Sequence, residues 1–418
     1  MTTKQENGGW AGAAVRLSLT VGLALLPLRV TQASEAQTFK VLYNFGGPGG
    51  SEPIAGVIAD RAGNLYGATS QGGSNGFGAV FELALTGGET VLYSFAGGSD
   101  GAYPSAGLLL DAAGNLYGTA EAGGDFGSSC PISGGCGVIY KVSPQGKETV
   151  LYSFTGGSDG YEPTSNLLRD AAGNLYGVAP VGGLTTSCVQ GGFSGCGVVF
   201  KLTRTGQEEV LYTFTGGSDG WGPTYGLIRD AAGNLYGTTA GGGDFTSCPF
   251  GCGVIYKLDT AGNESVLYTF TGGSDGWQPD SVLTRDAAGD LYGTTAIGGN
   301  FSCGSGFGCG VVFKLDSAGN ETALYTFNGP DGRDPVGGLL RDTLGNLYGT
   351  ASIGGAHNQG AVFKLNSSGK ESVLHSFSGT DGALPIGGLL GYKGSLYGTT
   401  YEGGPDGGQN GLVFKIVP

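Results

Sequence analysis

The sequence predicts an all-β fold, a seven-bladed β-propeller with four antiparallel strands per blade. Three observations carry this expectation. A segment of the type VLYTF begins at Val41, Val91, Val150, Val210, Val266, Ala323 and Val373. A triplet LYG begins at Leu65, Leu116, Leu175, Leu235, Leu291, Leu347 and Leu396. Gly makes up 89 of 418 residues with no collagen-like period, and it falls between short apolar blocks where turns belong.

The first 36 residues stand apart from the repeat. Lys4 and Arg16 precede an apolar run at residues 17–28, and Ala33 and Ala36 follow as small residues suited to cleavage, so residues 1–36 read as a signal peptide and leader. The run is short for a membrane span, and no later stretch is apolar enough to cross a bilayer. The chain stops inside a repeat at Phe414-Lys415-Ile416-Val417-Pro418, and no sorting tail is expected. Residues 38–418 form a single domain in this reading, expected to be a monomer.

The unit at residues 207–259 shows the construction. Four apolar segments cycle: d (209–214), a (226–230), b (234–239) and c (253–258). Each is rich in Val, Ile, Tyr, Phe and Thr, the composition of strands. No stretch sustains a helical apolar period. The links a–b and c–d are three-residue turns with Gly where a left-handed backbone is needed, for example Gly233 and Gly262. The links d–a and b–c are long and variable. In an up-and-down meander the long links share one face and the tight turns share the other. The chain opens on a lone d segment at 38–45 and ends on a, b and c, so the first segment is placed to complete the last blade and leave no free sheet edge.

The recurring pattern VLYxF, GGSDG, Pro, GLxRDAAGNLYGTT and GVVFKL resembles the Gloeo/Verruco tandem repeat of exported bacterial proteins, over residues 38–418. GLIRDAAGNLYG also resembles the strand–turn–strand of NHL-type and SMP-30-like propellers. The second resemblance implies that a is innermost and d outermost, while the order c-d-a-b would close the ring equally well. Neither implies a reaction.

The long-loop face is where binding is expected. Its d–a loops carry Asp100, Asp159, Asp219 and Asp275, repeated at Asp331 and Asp381, with Glu52 assigned to the corresponding part of the first loop. These carboxylates are candidate ligand groups, for a cation such as Ca²⁺ or for a larger ligand. The plainer reading is turn chemistry, Asp bonding the backbone ahead of a Gly. Tyr103, Tyr161, Trp221 and Trp277 follow in four consecutive copies and are candidate aromatic platforms. The same copies hold all eight Cys, as Cys130/Cys136, Cys188/Cys196, Cys248/Cys252 and Cys303/Cys309, which in an exported chain read as four local disulfides.

A net charge of −14 argues against nucleic acid and anionic lipid as partners. Zinc is the rival reading of the Cys, since Cys248/Cys252 has a passable spacing, but the other spacings fit no common zinc module. No Ser/His/Asp order, GxSxG, HExxH or Walker loop appears, so no catalytic or metal residue is named and no cofactor is expected. His375 stands where other copies have Tyr and reads as a packing residue. Lys141, Lys201, Lys257, Lys314, Lys364 and Lys415, with Arg169, Arg229, Arg285 and Arg341, recur too evenly to mark one active site. The leading expectation is a secreted, periplasmic or cell-surface module that binds an extracellular carbohydrate or protein. The alternatives are a hydrolase or lyase with carboxylates such as Asp219 and Asp275 at the propeller axis, and a structural envelope protein.

Overall fold

The computed structural model describes residues 37–418 apart from 127–129, 131–133, 184–187, 191–192, 304–305 and 406–407. The leader expected at residues 1–36 lies outside the described residues. Seven antiparallel blades of four strands each form a propeller, as the repeat count predicts, with Trp221–Pro223 joining the sheet of blade 4 as a fifth strand. In blade 4 the strands are a (Ile228–Arg229), b (Leu235–Gly241), c (Val254–Leu258) and d (Glu264–Thr269). The sheet order a-b-c-d holds in every blade. Blade 7 takes a (Leu390–Tyr392), b (Ser395–Thr400) and c (Leu412–Val417) from the end of the chain and d (Thr38–Asn44) from its beginning. That closing pair runs antiparallel from Thr38↔Val417 to Asn44↔Leu412.

Burial follows radial position. Strand c is enclosed on both faces: Val254, Ile255, Tyr256 and Leu258 are all within 1% of full burial. Strand d is the outer edge: none of its residues is fully buried, and in blade 4 Ser265 and Val266 are exposed. Strand a lines the axis. The inferred phasing, a innermost and d outermost, is therefore the observed one.

The LYG triplet has a packing cause. Its Gly lies under the ring of strand c; a Cβ on Gly293 would fall 2.6 Å from Phe313 Cζ. Gly293→Ala is expected to cost about 1–3 kcal/mol, the range for overpacking a tight core, read as a lowered midpoint in thermal melting. An unchanged midpoint would contradict the packing account.

Two side-chain motifs fix the loops. On the tight-turn face, Asp230 accepts the Asn234 backbone N–H at 2.9 Å and the Tyr236 hydroxyl at 3.0 Å, closing the a–b turn. On the long-loop face, Asp219 accepts the Tyr212 hydroxyl at 3.0 Å, the Thr215 N–H at 2.7 Å and the Gly217 N–H at 3.2 Å. The Tyr of VLYTF is thus bonded to the Asp of GGSDG in its own copy. In blade 6, His375 Nε2 meets Asp381 Oδ2 at 2.9 Å. The substituted His keeps the role of the Tyr it replaces.

Candidate functional site

The inner strands surround an axial funnel with a cavity of 540 Å³. Each d–a loop enters it through a Pro, and the residue after that Pro contributes one position of a ring. In chain order these are Ile54, Ser105, Thr164, Thr224, Asp280, Val336 and Ile386, of which all but Asp280 line the cavity. The ring is divided. Blades 2 to 5 supply hydroxyl or carboxyl groups, and blades 6, 7 and 1 supply aliphatic side chains. Asp280 is tied to this wall by a hydrogen bond that Thr224 Oγ1 donates to its Oδ1 at 3.4 Å.

The residue before each Pro forms the funnel lip. Glu52, Tyr103, Glu162, Gly222, Gln278, Asp334 and Leu384 all have φ between +52° and +64°. For the six that are not Gly this backbone is strained, at about 1–3 kcal/mol each. It persists because each lip N–H is held by the preceding blade. Glu162 donates to Cys136 O at 3.0 Å, Gly222 to Cys196 O at 3.0 Å, Gln278 to Cys252 O at 3.1 Å and Asp334 to Cys309 O at 3.1 Å. The four cystines, Cys130–Cys136, Cys188–Cys196, Cys248–Cys252 and Cys303–Cys309, therefore brace the carbonyls that position the lip of the next blade.

Two pairs of carboxyls lie near the lip and upper wall, Glu121 with Glu162 and Asp280 with Asp334. Glu121 leaves strand b of blade 2 (Leu116–Ala120) and lines the cavity. Burial, and then the charge of Glu162, push its carboxyl up to about 7. Burial and then Asp334 push Asp280 up to about 7 as well. Glu162 is raised by burial alone. Asp334 is raised by burial, offset by the Ser352 hydroxyl and Arg333. Tyr225 lies at the axis with φ +59°, its phenol raised by burial, then Asp280 and Asp334. Across the mouth, Glu52 Oε2 accepts the Tyr401 hydroxyl at 2.7 Å. The Ser105 Oγ is buried with no protein partner.

The residues named from sequence occupy other places. Asp100, Asp159, Asp219 and Asp275 lie in the outer part of the d–a loops, and their oxygens are engaged by internal donors. Asp219 and Asp275 do not line the axial cavity, contrary to the expectation of carboxylates from these loops at the axis, whereas Glu121 does. Glu52 is also reassigned. It is a lip residue equivalent to Glu162, and Gly49 stands where the other loops have Asp, because Gly50 meets Thr69 as Gly220 meets Thr239. Among the described residues, no group of three or more His, Cys, Asp or Glu converges as a metal requires.

Tyr161 is 1% exposed and shares a core cluster with Cys136, so its ring is not available as a platform. Trp221 packs on the cluster that holds Cys196 and donates its indole N–H to Phe250 O at 2.8 Å. Trp277 packs on Cys248 and Cys252. These three rings each lie against the cystine of the preceding blade, which explains why aromatics and Cys arrive in the same stretch of sequence. Tyr103 belongs to the lip and tilts against Phe77 at 5.8 Å. The exposed aromatic rings are different ones. Phe126, Phe245, Phe250, Phe301 and Phe307 stand in the cystine-bearing b–c loops with about half their surface free, 48–58%. A repeated Phe next to Asp or Asn, or two residues before the second Cys, was the available signal.

No curated protein matches the chain. Among solved structures, the extracellular domain of a one-component system of B. thetaiotaomicron aligns with a TM-score of 0.57 at 9% identity, covering 90% of this chain and 39% of that one. A gluconolactonase of Xanthomonas campestris aligns at 0.42 and 12% identity, covering 91% and 89%. A 6-phosphogluconolactonase of Bacteroides uniformis aligns at 0.48 and 16%, covering 83% and 89%. The chain thus spans well under half the length of the first of these, and likeness at such identities concerns the fold alone. The Gloeobacter/Verrucomicrobia repeat matches residues 29–189 and 182–414. With those two spans covering nearly all of the propeller, the chain belongs to the Gloeobacter/Verrucomicrobia repeat family.

Proposed function

We propose that this propeller is a binding module that takes a carbohydrate in its axial funnel. The observation that carries the reading is the divided wall, with Ser105, Thr164 and Thr224 on one side, Thr224 backed by its hydrogen bond to Asp280, and Val336, Ile386 and Ile54 on the other. A sugar ring has the same two aspects, hydroxyls at its edge and C–H groups on its faces. Carboxylates and hydroxyls fix the first, and aliphatic side chains cover the second. Four cystines suit an oxidising compartment, so a secreted, periplasmic or cell-surface site is part of the proposal. A microarray of bacterial and plant glycans is the test. Asp280→Asn and Glu121→Gln are expected to weaken the best ligand at least tenfold while leaving the melting midpoint within a few degrees. Unchanged binding in both variants would sink the site.

A second reading rests on a separate observation, the two carboxyls raised to about 7, Glu121 and Asp280. Groups that titrate near neutrality can exchange protons with a substrate as general acid and base. The protein would then hydrolyse a glycoside or lactone in the same funnel. Turnover with chromogenic glycosides and lactones separates the readings. Hydrolysis lost in Glu121→Gln supports the enzyme, and tight binding without turnover supports the module.

A further inference from the structure

The tight-turn face carries a repeated seat for a cation, and one copy is without its cation. In blades 2 to 7 the strand-b Tyr holds a positive side chain against its ring. Arg169 lies 5.8 Å from the Tyr117 centroid and Arg229 5.8 Å from Tyr176. Arg285 lies 5.8 Å from Tyr236, and Lys364 and Lys415 lie 5.3 and 5.7 Å from Tyr348 and Tyr397. The Arg comes from strand a of the next blade and the Lys from strand c of the same blade. Between blades 5 and 6 the seat is complete. Arg341 and Lys314 lie 5.3 and 5.8 Å from the Tyr292 centroid. Arg341 also approaches Asp286 Oδ2 at 3.7 Å, and that carboxylate accepts the Tyr292 hydroxyl at 3.0 Å.

In blade 1 the Tyr is Tyr66, whose hydroxyl donates to Asp60 Oδ2 at 3.3 Å. Its cross-strand partner is Glu82, where the other blades pair this Tyr with Lys. Leu110 of blade 2 stands where blades 3 to 6 carry Arg. Among the described residues no cation lies over Tyr66. A cavity of 710 Å³ opens there, bounded by Tyr66, Asp60, Glu82, Leu110, Asp111 and Arg61. Three acidic residues, Asp60, Glu82 and Asp111, line it with one exposed basic residue, Arg61. Burial, then Glu82 and Asp60, push the Tyr66 phenol up to about 12.

We propose that this cavity binds a guanidinium group from outside the chain, seated over Tyr66 and paired with Asp60 and Glu82 as Arg341 is seated over Tyr292 and paired with Asp286. The chemistry favours guanidinium because its plane stacks on an aromatic ring while its edge pairs with carboxylates. The six occupied copies give the geometry, and the replacement of both resident cations by Glu82 and Leu110 leaves the place open.

Calorimetric titration of the whole protein with arginine methyl ester, its citrulline counterpart and the blocked peptide acetyl-Gly-Arg-Gly-amide tests this. The ester and the peptide present the same guanidinium from a small molecule and from a polypeptide. Binding of either supports the proposal, and the tighter of the two identifies the source. Citrulline is expected to bind at least tenfold more weakly. Leu110→Arg, which restores the cation found in blades 3 to 6, is expected to abolish guest binding and raise the melting midpoint. Glu82→Gln is expected to weaken binding about tenfold with the fold intact. Equal binding of citrulline, no binding of either guanidinium, or full binding to both variants would overturn the proposal.

Discussion

Deletion of residues 37–45 is expected to abolish the single cooperative melting transition. This segment supplies strand d of blade 7, paired with Leu412–Val417. Phe39 stacks on His375 at 3.6 Å, and Phe45 is 5% exposed with its ring 5.0 Å from Phe81 of blade 1. Removing Phe39, Val41, Leu42 and Phe45 forfeits about 1.5–3 kcal/mol for each fully buried side chain and less for the half-buried ones. The sum, on the order of 5 kcal/mol, is comparable to the whole stability of a typical domain. It also leaves strand c of blade 7 as a bare edge. Scanning calorimetry should replace one transition by a broad, low one, and a synthetic peptide of residues 37–45 should restore it. A midpoint within a few degrees of the intact protein would show that the ring does not depend on this closure.

The second large effect is on pH. At five blade boundaries a Glu at the start of strand d faces the loop Asp of the preceding blade. The pairs are Glu148 with Asp100, Glu208 with Asp159, Glu264 with Asp219, Glu321 with Asp275 and Glu371 with Asp331. Burial, followed by that Asp, pushes each Glu up to about 7 from the ordinary 4.5. The Oε1 of each is buried without a protein donor. A carboxyl raised in the folded state holds its proton longer there than in the unfolded chain. Its contribution to stability is therefore present below pH 4.5 and lost as pH rises through 7. These side chains are half-exposed, and solvent reduces each contribution to about 0.5–1 kcal/mol. Five together give about 3–4 kcal/mol, or a midpoint about 5 °C lower at pH 8 than at pH 5. Replacing all five by Gln should flatten the profile, and a midpoint that rises with pH would refute the sign.

Much of the ring was legible because its causes are local and repeated. Val, Tyr and Phe at fixed offsets from Gly and Asp describe strand d and its turn in every copy, and the lone opening segment indicates the closure. The bond from Tyr212 to Asp219 was half legible, since Ser-Asp-Gly reads as turn chemistry without the partner seven residues earlier. The funnel was not. Glu121, Asp280 and Tyr225 belong to no motif, because a binding position is where copies of a repeat diverge. They become visible only when the residues flanking each loop Pro are set side by side, and that comparison means little until strand a is known to be innermost. The aromatics misled for a related reason. Tyr161, Trp221 and Trp277 are large and clustered in sequence, but they fill the gap beside the previous cystine, while Phe250 and Phe307 on the same loops stand free.

The staggered bracing has a mechanical consequence. Cystines in blades 2 to 5 hold the funnel lips of blades 3 to 6 through carbonyl contacts. The lips of blades 7, 1 and 2 hang on Gln359, Asn410 and Phe77, in loops without a cystine. The arc of the ring that bears most of the polar funnel wall is therefore cross-linked, and the arc that bears Ile386 and Ile54 and contains the closure is not. Elastic compliance is concentrated on the aliphatic side. Thr164, Thr224 and Asp280 sit on the stiff arc, where their directions are fixed in advance, while Ile386 and Ile54, with Ser105 beside them, sit on the arc that is free to adjust its radius.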